Sequence, residues 1–304
     1  MNIYCRWYYW YKNLGDELLL FGVLERIHQK FPDCSVIDIE AWDQQRLQTW
    51  LDRHTNYLPK WISIRAVEKN FFAYGYDHVV IGWGEVLSDA RPVPYNGRVH
   101  VIRFWKHILS GSYSLLWWVW TRKRRHSWPL FKLLLSRAKL IVLREQNSYN
   151  NASMYVHKNN ITLYKDFAIA FFEQHSVIKA SKQNNQSAKK KWFIINTNPY
   201  LRNEEVRQKI VEEYATTSTL TPYFVPAEIG SDEEAYSQLK QDIPKLQRYD
   251  RTVHTVSEIV TFFSSFKAWV ATRLHVMILL HELDVPYLPL VYQEKITHLL
   301  GHDL

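Results

Sequence analysis

Four side chains, Arg144, Arg273, His275 and Lys295, together have the chemistry to hold a small, multiply charged anion. Arginine presents a planar fork that matches carboxylate or phosphate, and lysine a compact point charge. Histidine moves a proton near neutral pH. Each follows an apolar run that reads as a strand: Arg144 follows 139–143, Arg273 and His275 follow 268–271, and Lys295 follows 287–292. In parallel α/β sheets ligands bind outside the carboxyl ends of the strands, so these positions are expected on the functional edge. A helix expected over 276–283 adds its positive N-terminal end. Each residue also has a purely structural reading. A basic residue at a strand end is usually solvated surface, and a histidine opening an apolar helix is usually a cap or a satisfied buried group. Composition and spacing by themselves stop at a two-domain α/β enzyme with a basic cleft.

The elements that must position these residues alternate along the chain. Residues 3–10 are β-rich and aromatic, 13–16 (Asn-Leu-Gly-Asp) form a turn, and 17–31 repeat apolar residues at spacings of three and four. Asp16 is the expected N-cap of that helix. Strands are expected at 34–39, 78–81, 139–143 and 161–164. After them comes a polar Ser/Asn/Gln/Lys stretch. Beyond it the alternation resumes: strands at 192–196, 221–225, 268–271 and 287–292, helices at 203–214, 232–241, 256–263 and 276–283. This pattern predicts an N-terminal α/β domain over 1–175 that contributes Arg144, a linker over 176–191, and a C-terminal α/β domain over 192–304.

Composition narrows the partners. The 304-residue chain has 47% hydrophobic and 22% charged residues, an ordinary globular balance, with 13 Trp and 19 Tyr. Its net charge of +8 favours anionic partners: phosphorylated metabolites, acidic lipid or nucleic acid. Two cysteines, Cys5 and Cys34, cannot build a disulfide framework or a four-ligand zinc site, so a reducing cytoplasm is the expected location. The first residues lack the charged and apolar regions of a secretory signal. The apolar run at 114–120 is far short of a membrane span. It belongs to a stretch, 105–137, that mixes Trp with Lys and Arg. Peripheral contact with the inner face of the membrane is therefore expected through 115–125, carried by Trp117, Trp118, Trp120 and Arg122 to Arg125. The alternative is a core-packing helix followed by a solvated basic turn.

The stretch Ala271-Thr-Arg-Leu-His275, an apolar helix, a turn with Pro286, a strand, then Tyr292 and Lys295, resembles the C-terminal signature of the polysaccharide pyruvyl transferase family. Asn13-Leu-Gly-Asp-Glu17 resembles the family's N-terminal turn. Ile81-Gly82-Trp83-Gly84 resembles its glycine-rich strand end, Arg144-Glu-Gln-Asn-Ser148 its R-E-x-x-S block, and Asp166-Phe-Ala168 its D-P-A-F-like block. Two positions depart from the pattern: Trp83 stands within the glycine run, and Phe167 replaces the proline after Asp166.

The resemblance implies two Rossmann-like domains facing a cleft, similar to the GT-B glycosyltransferases. It also implies transfer of pyruvyl from phosphoenolpyruvate, a co-substrate, to a sugar of a cell-surface polysaccharide or its lipid-linked precursor. The product is a cyclic ketal. The expected catalytic residues are His275 as general acid, with Arg144 and Lys295 as the anion clamp. Arg273, Asn13, Asp16, Glu17, Gly82, Trp83, Gly84 and Asp166 are the expected substrate-binding positions. Asp16 and Glu17 have an equal structural reading as helix-start acids, and Asp166 as a junction residue. Neither metal nor other cofactor is required, since cationic side chains can stabilise the phosphate charge. Nucleic acid is not an expected partner: the basic residues of 121–126 are a weak footprint. The rival readings are a nucleotide-sugar glycosyltransferase of the same fold and a non-catalytic glycan-binding relative.

Overall fold

The computed structural model describes residues 1–6, 13–41, 43–68, 73–84, 97–118, 128–144, 146–154, 156, 160–175, 192–196, 204–216, 219–266 and 268–290. The chain divides into two compact units. The first holds residues 1–9 and 23–166, the second 10–22 and 167–304.

In the first unit, seven parallel strands form one sheet. They are β1 (Asn2–Arg6), β2 (Val36–Glu40), β3 (Ser63–Val67), β4 (His78–Gly84), β5 (Tyr113–Trp118), β6 (Leu140–Leu143) and β7 (Ile161–Leu163), in the order β3-β2-β1-β4-β5-β6-β7. The order reverses between β1 and β4, the switch point of a doubly wound sheet. The helices are α1 (Leu14–Lys30), α2 (Gln44–Arg53), α3 (Gly97–Ser110), α4 (Trp128–Ser136) and α5 (Gln146–Ser153). Because strand side chains alternate, Tyr4, Val79, Ile81, Tyr113, Leu115, Ile141 and Leu143 share a face and pack on Phe104 and Ile108 of α3 and Leu134 and Leu135 of α4. Each such buried side chain contributes about 1.5–3 kcal/mol.

The second unit has five parallel strands: β8 (Trp192–Asn196), β9 (Thr221–Phe224), β10 (Gln247–Arg248), β11 (Ala268–Ala271) and β12 (Leu288–Pro289). Their order is β10-β9-β8-β11-β12, with the reversal between β8 and β11. Its helices are α6 (Phe167–Gln174), α7 (Glu204–Thr216), α8 (Glu233–Asp242), α9 (Val256–Ser264) and α10 (Leu274–Glu282). Leu274 and every residue from Val276 to Leu280 are buried, so α10 is a core helix, and it packs against α6.

Two local expectations are corrected. Helix α1 starts at Leu14, three residues early, because Asn13 caps it: its side-chain oxygen accepts the Gly15 N–H at 2.9 Å. Asp16 therefore lies in the first turn. Helix α10 likewise starts at Leu274, with Arg273 as N-cap, which puts His275 in its first turn. The first half of α1 clusters with the second unit, as does α6. The expected linker, 176–191, lies outside the described residues.

Candidate functional site

In the second unit, the short turn after β9, Pro226-Ala-Glu-Ile-Gly-Ser-Asp232, holds two loops together. The Ala227 carbonyl accepts the Leu14 N–H at 2.8 Å, and Asn13 and Glu228 form an antiparallel bridge, which fastens the start of α1. The same turn fastens the start of α10. Arg273 Nη2 donates to Glu228 Oε2 at 3.0 Å, to Ser231 Oγ at 3.3 Å and to Asp232 Oδ1. Asp232 is fully buried, and its other oxygen accepts the Ala227 and Glu228 N–H groups at 2.9 and 3.0 Å. Burial pushes its carboxyl above the ordinary range, while Arg273 pulls it down.

Arg251 completes this scaffold. Its Nη1 donates to both Glu17 oxygens at 2.8 Å, its Nε to the Pro226 carbonyl at 3.1 Å and its Nη2 to the Ala227 carbonyl at 3.0 Å. Arg251 is 2% exposed and Glu17 5%. A buried charge pair of this kind holds position when all its hydrogen bonds are made. Glu17, expected to serve the acceptor, thus has both oxygens on Arg251.

His275 lies against the first turn of α1. A Cβ built on Gly15 would overlap His275 Nδ1 and lie 2.7 Å from Cγ and 3.0 Å from Cε1. Only a residue without a side chain allows this approach. Seven residues on, on the same face of α1, a Cβ on Gly22 would overlap the Phe167 carbonyl oxygen, with its carbon at 2.9 Å. The Phe21 and Phe171 rings stack beside it at 4.8 Å. Thr272 precedes Arg273, is fully buried, and its hydroxyl makes no hydrogen bond among the described residues.

In the first unit, Arg144 follows β6 and Asp166 follows β7. Arg144 Nη1 donates to Asp166 Oδ2 at 3.3 Å, and both side chains are nearly buried. Gly82, Trp83 and Gly84 close β4 beside the switch point, where Gly82 pairs with Leu116 and Gly84 with Trp118. At the ends of β1 and β2, Glu40 accepts from Arg6 Nη1 and Arg103 Nη2, each at 2.8 Å, and from the Tyr4 hydroxyl.

The expected site residues therefore fall into two groups. Asn13, Asp16, Glu17, Arg273 and His275 share the second unit, although the first three fall within the expected N-terminal domain, 1–175. Arg144, Asp166, Gly82, Trp83 and Gly84 share the first. Lys295 lies outside the described residues. Sequence reasoning missed Arg251, Glu228, Asp232, Thr272, Arg103 and Glu40. Thr272 alone carried a signal, a hydroxyl between a strand and an Arg-Leu-His. The others pair with residues tens to hundreds of positions away. No cluster of metal-ligating side chains occurs among the described residues.

Two parallel sheets with charged and small residues at their carboxyl edges define an α/β enzyme with two Rossmann-like units, similar to the GT-B architecture. Known structures agree on the fold. UDP-GlcNAc 2-epimerase from Neisseria meningitidis, bound to UDP-GlcNAc, matches with a TM-score of 0.61 at 11% identity, over 98% of this chain and 85% of that one. The UDP-GlcNAc 2-epimerase from Methanocaldococcus jannaschii matches at 0.56 and 9%, over 98% and 90%. HepE from Anabaena, in complex with UDP and glucose, matches at 0.52 and 12%, over 95% and 80%. At these identities the likeness concerns fold alone. A search of curated protein sequences finds no match. The family model for polysaccharide pyruvyl transferase matches residues 13–293, so the chain belongs to that family of transferases. The family implies a polysaccharide or sugar acceptor.

Proposed function

We propose that this chain transfers the pyruvyl group of phosphoenolpyruvate to a sugar of a cell-surface polysaccharide or its lipid-linked precursor. The observation that carries the reading is the contact between the two family blocks: His275 of the Arg-Leu-His stretch rests on Gly15 of the Asn-x-Gly-Asp-Glu stretch. A titratable imidazole held by a glycine and two helix starts has the chemistry of a proton donor beside an anion.

In this reading His275 gives its proton to the methylene carbon of phosphoenolpyruvate, which becomes a methyl group and leaves C2 electrophilic. A sugar hydroxyl attacks C2 and gives its proton to the now neutral His275, which restores the acid. The C2–O bond to phosphate then breaks, and inorganic phosphate leaves with the bonding pair. A second hydroxyl of the same sugar adds to C2 and closes the cyclic ketal, releasing its proton to solvent. Arg144, steadied by Asp166, and Lys295 hold the phosphate and carboxylate. Arg273 works at one remove, through the Glu228 and Asp232 carboxylates that fix the loop. The buried Thr272 hydroxyl supplies a further donor at the start of α10. The two buried free cysteines fit a reducing, cytoplasmic location. Of the expected 115–125 contact, Leu115 and Leu116 are buried in the inner strand β5, where a membrane contact or a core-packing helix was expected, and they drop out. Membrane contact through the remaining residues is part of the same reading.

Calorimetry with phosphoenolpyruvate tests it. Wild type binds, Arg144→Ala and Lys295→Ala each lose binding at least about tenfold, and His275→Ala binds but does not turn over. No binding by wild type, together with binding of a nucleoside diphosphate, would favour the glycosyltransferase reading. Near-full activity of His275→Ala would remove the proton-transfer role.

A further inference from the structure

The charge of this chain is distributed unevenly. Residues 90–144 carry 12 of the 38 Lys and Arg and none of the 30 Asp and Glu. The rest of the chain has 26 basic against 30 acidic residues, so the whole positive excess resides in this one stretch. It contains α3, β5 and α4 of the first unit.

The outer face of α3 adds an apolar signal to that charge. Trp105 is 49% and Leu109 51% exposed, one turn apart, and Tyr74 is 53% exposed. Lys106 Nζ lies over the Tyr74 ring at 5.8 Å from its centroid. Arg137 Nη1 donates to the Leu109 carbonyl at 2.7 Å, which brings a second exposed cation to the end of α3. Lys132 on α4 is exposed as well. One carboxylate, Asp77, shares the Tyr74 loop, where it accepts the Asn2 N–H at 2.7 Å. The inner face of α3 is conventional core: Arg103, Phe104, His107 and Ile108 are buried. Large apolar side chains on a surface helix, ringed by cations, mark an interaction surface.

We infer that this face of α3, with Tyr74, Lys106 and Arg137, docks the protein on a membrane surface rich in anionic lipid. Indole, phenol and lysine together suit the water–lipid boundary, where rings lie at headgroup depth and ammonium groups meet phosphates. Leucine beside them argues for acyl chains rather than nucleic acid, since nucleic acid recognition uses cations and stacking rings. Stable surface anchoring takes two signals, and here they are apolar insertion and a basic stretch. The inference uses none of the residues 117–125. It does not depend on the donor being phosphoenolpyruvate, because its readout is binding and not turnover.

Vesicle flotation of the full chain tests the inference. Wild type floats with phosphatidylcholine vesicles containing phosphatidylglycerol, does not float with phosphatidylcholine alone, and is released by high salt. Lys106→Glu lowers partitioning by about fivefold or more, and Trp105→Ser with Leu109→Ser by about tenfold or more. These side chains are exposed, so circular dichroism and melting temperature stay at wild-type values. Absence of wild-type flotation, or variants that float like wild type, would overturn the inference. So would equal binding to both vesicle types. Binding of an oligonucleotide, but not vesicles, that the same substitutions remove would assign the face to nucleic acid instead.

Discussion

At the scale of the residue, Gly15 matters because of what rests on it. The His275 imidazole occupies the space a Cβ would take. Gly15→Ala therefore pushes the ring aside, and the flexible partner yields rather than the backbone. In the proposed reaction a displacement near 1 Å costs about a hundredfold in turnover. The expected outcome is a kcat fall of that order with phosphoenolpyruvate affinity little changed. Steady-state kinetics and calorimetry on one preparation check it. Gly22→Ala gives the contrasting result. Its Cβ meets the backbone of Phe167, which cannot swing away, so stability falls by about 2 kcal/mol in urea unfolding. Equal activity of Gly15→Ala and wild type would mean that the ring position is irrelevant to turnover.

At the scale of the element, α1, α10 and the turn after β9 are joined by buried charge. Arg251 meets Glu17 and two carbonyls, and Arg273 meets Glu228 and Asp232. Arg251→Ala leaves the Glu17 carboxylate buried without its guanidinium, and breaking such a pair costs about 3–5 kcal/mol. The double variant Glu17→Met, Arg251→Met removes both charges and is expected to recover much of that loss. Chemical denaturation of Glu17→Met, Arg251→Met and the double variant closes the cycle. A double variant as unstable as Arg251→Ala would show that the carbonyl contacts to Pro226 and Ala227, not the ion pair, hold the turn.

At the scale of the whole molecule, several histidines are buried in neutral form. Burial lowers His78 from 6.5 to about 4, with Lys139 and His107 adding to the shift, and burial also lowers His54, His107 and His175. In the unfolded chain these groups protonate near 6.5, so below that pH the unfolded state binds more protons than the folded one. The stability they support is complete above pH 6.5 and is lost as pH falls toward 4. His78 alone accounts for about 3 kcal/mol of that loss. Melting temperature is expected to drop between pH 7 and pH 4.5, with a flatter slope for His78→Gln, whose amide can keep the bond to the Ser114 hydroxyl. A flat profile for wild type would contradict the buried neutral state.

Periodicity and strand-end position made most of the second unit legible: 192–196, 221–225, 256–263 and 268–271 coincide closely with β8, β9, α9 and β11. These are local properties, since a half-buried strand or an amphipathic helix records its own environment in its own residues. The family model covers the blocks of the resemblance from Asn13 to Tyr292, and Lys295 lies beyond its match, which ends at 293. Less visible were β3, β5 and the helices α2 to α6, where aromatic and basic residues blur the period. Asp16 is the natural cap of a helix that begins at 17; in the structure Asn13 takes the role, with the Ala227 carbonyl accepting the Leu14 N–H. Family order identified Gly15 and His275 as members of two blocks, and only the tertiary structure put one against the other. The Arg251–Glu17 pair spans 234 positions and leaves no trace in spacing. What the residues determined alone was the α/β class, the strand ends that carry charge and the family. Which charge faces which was decided by folding, because ion pairs and close approaches depend on distance in space rather than distance along the chain.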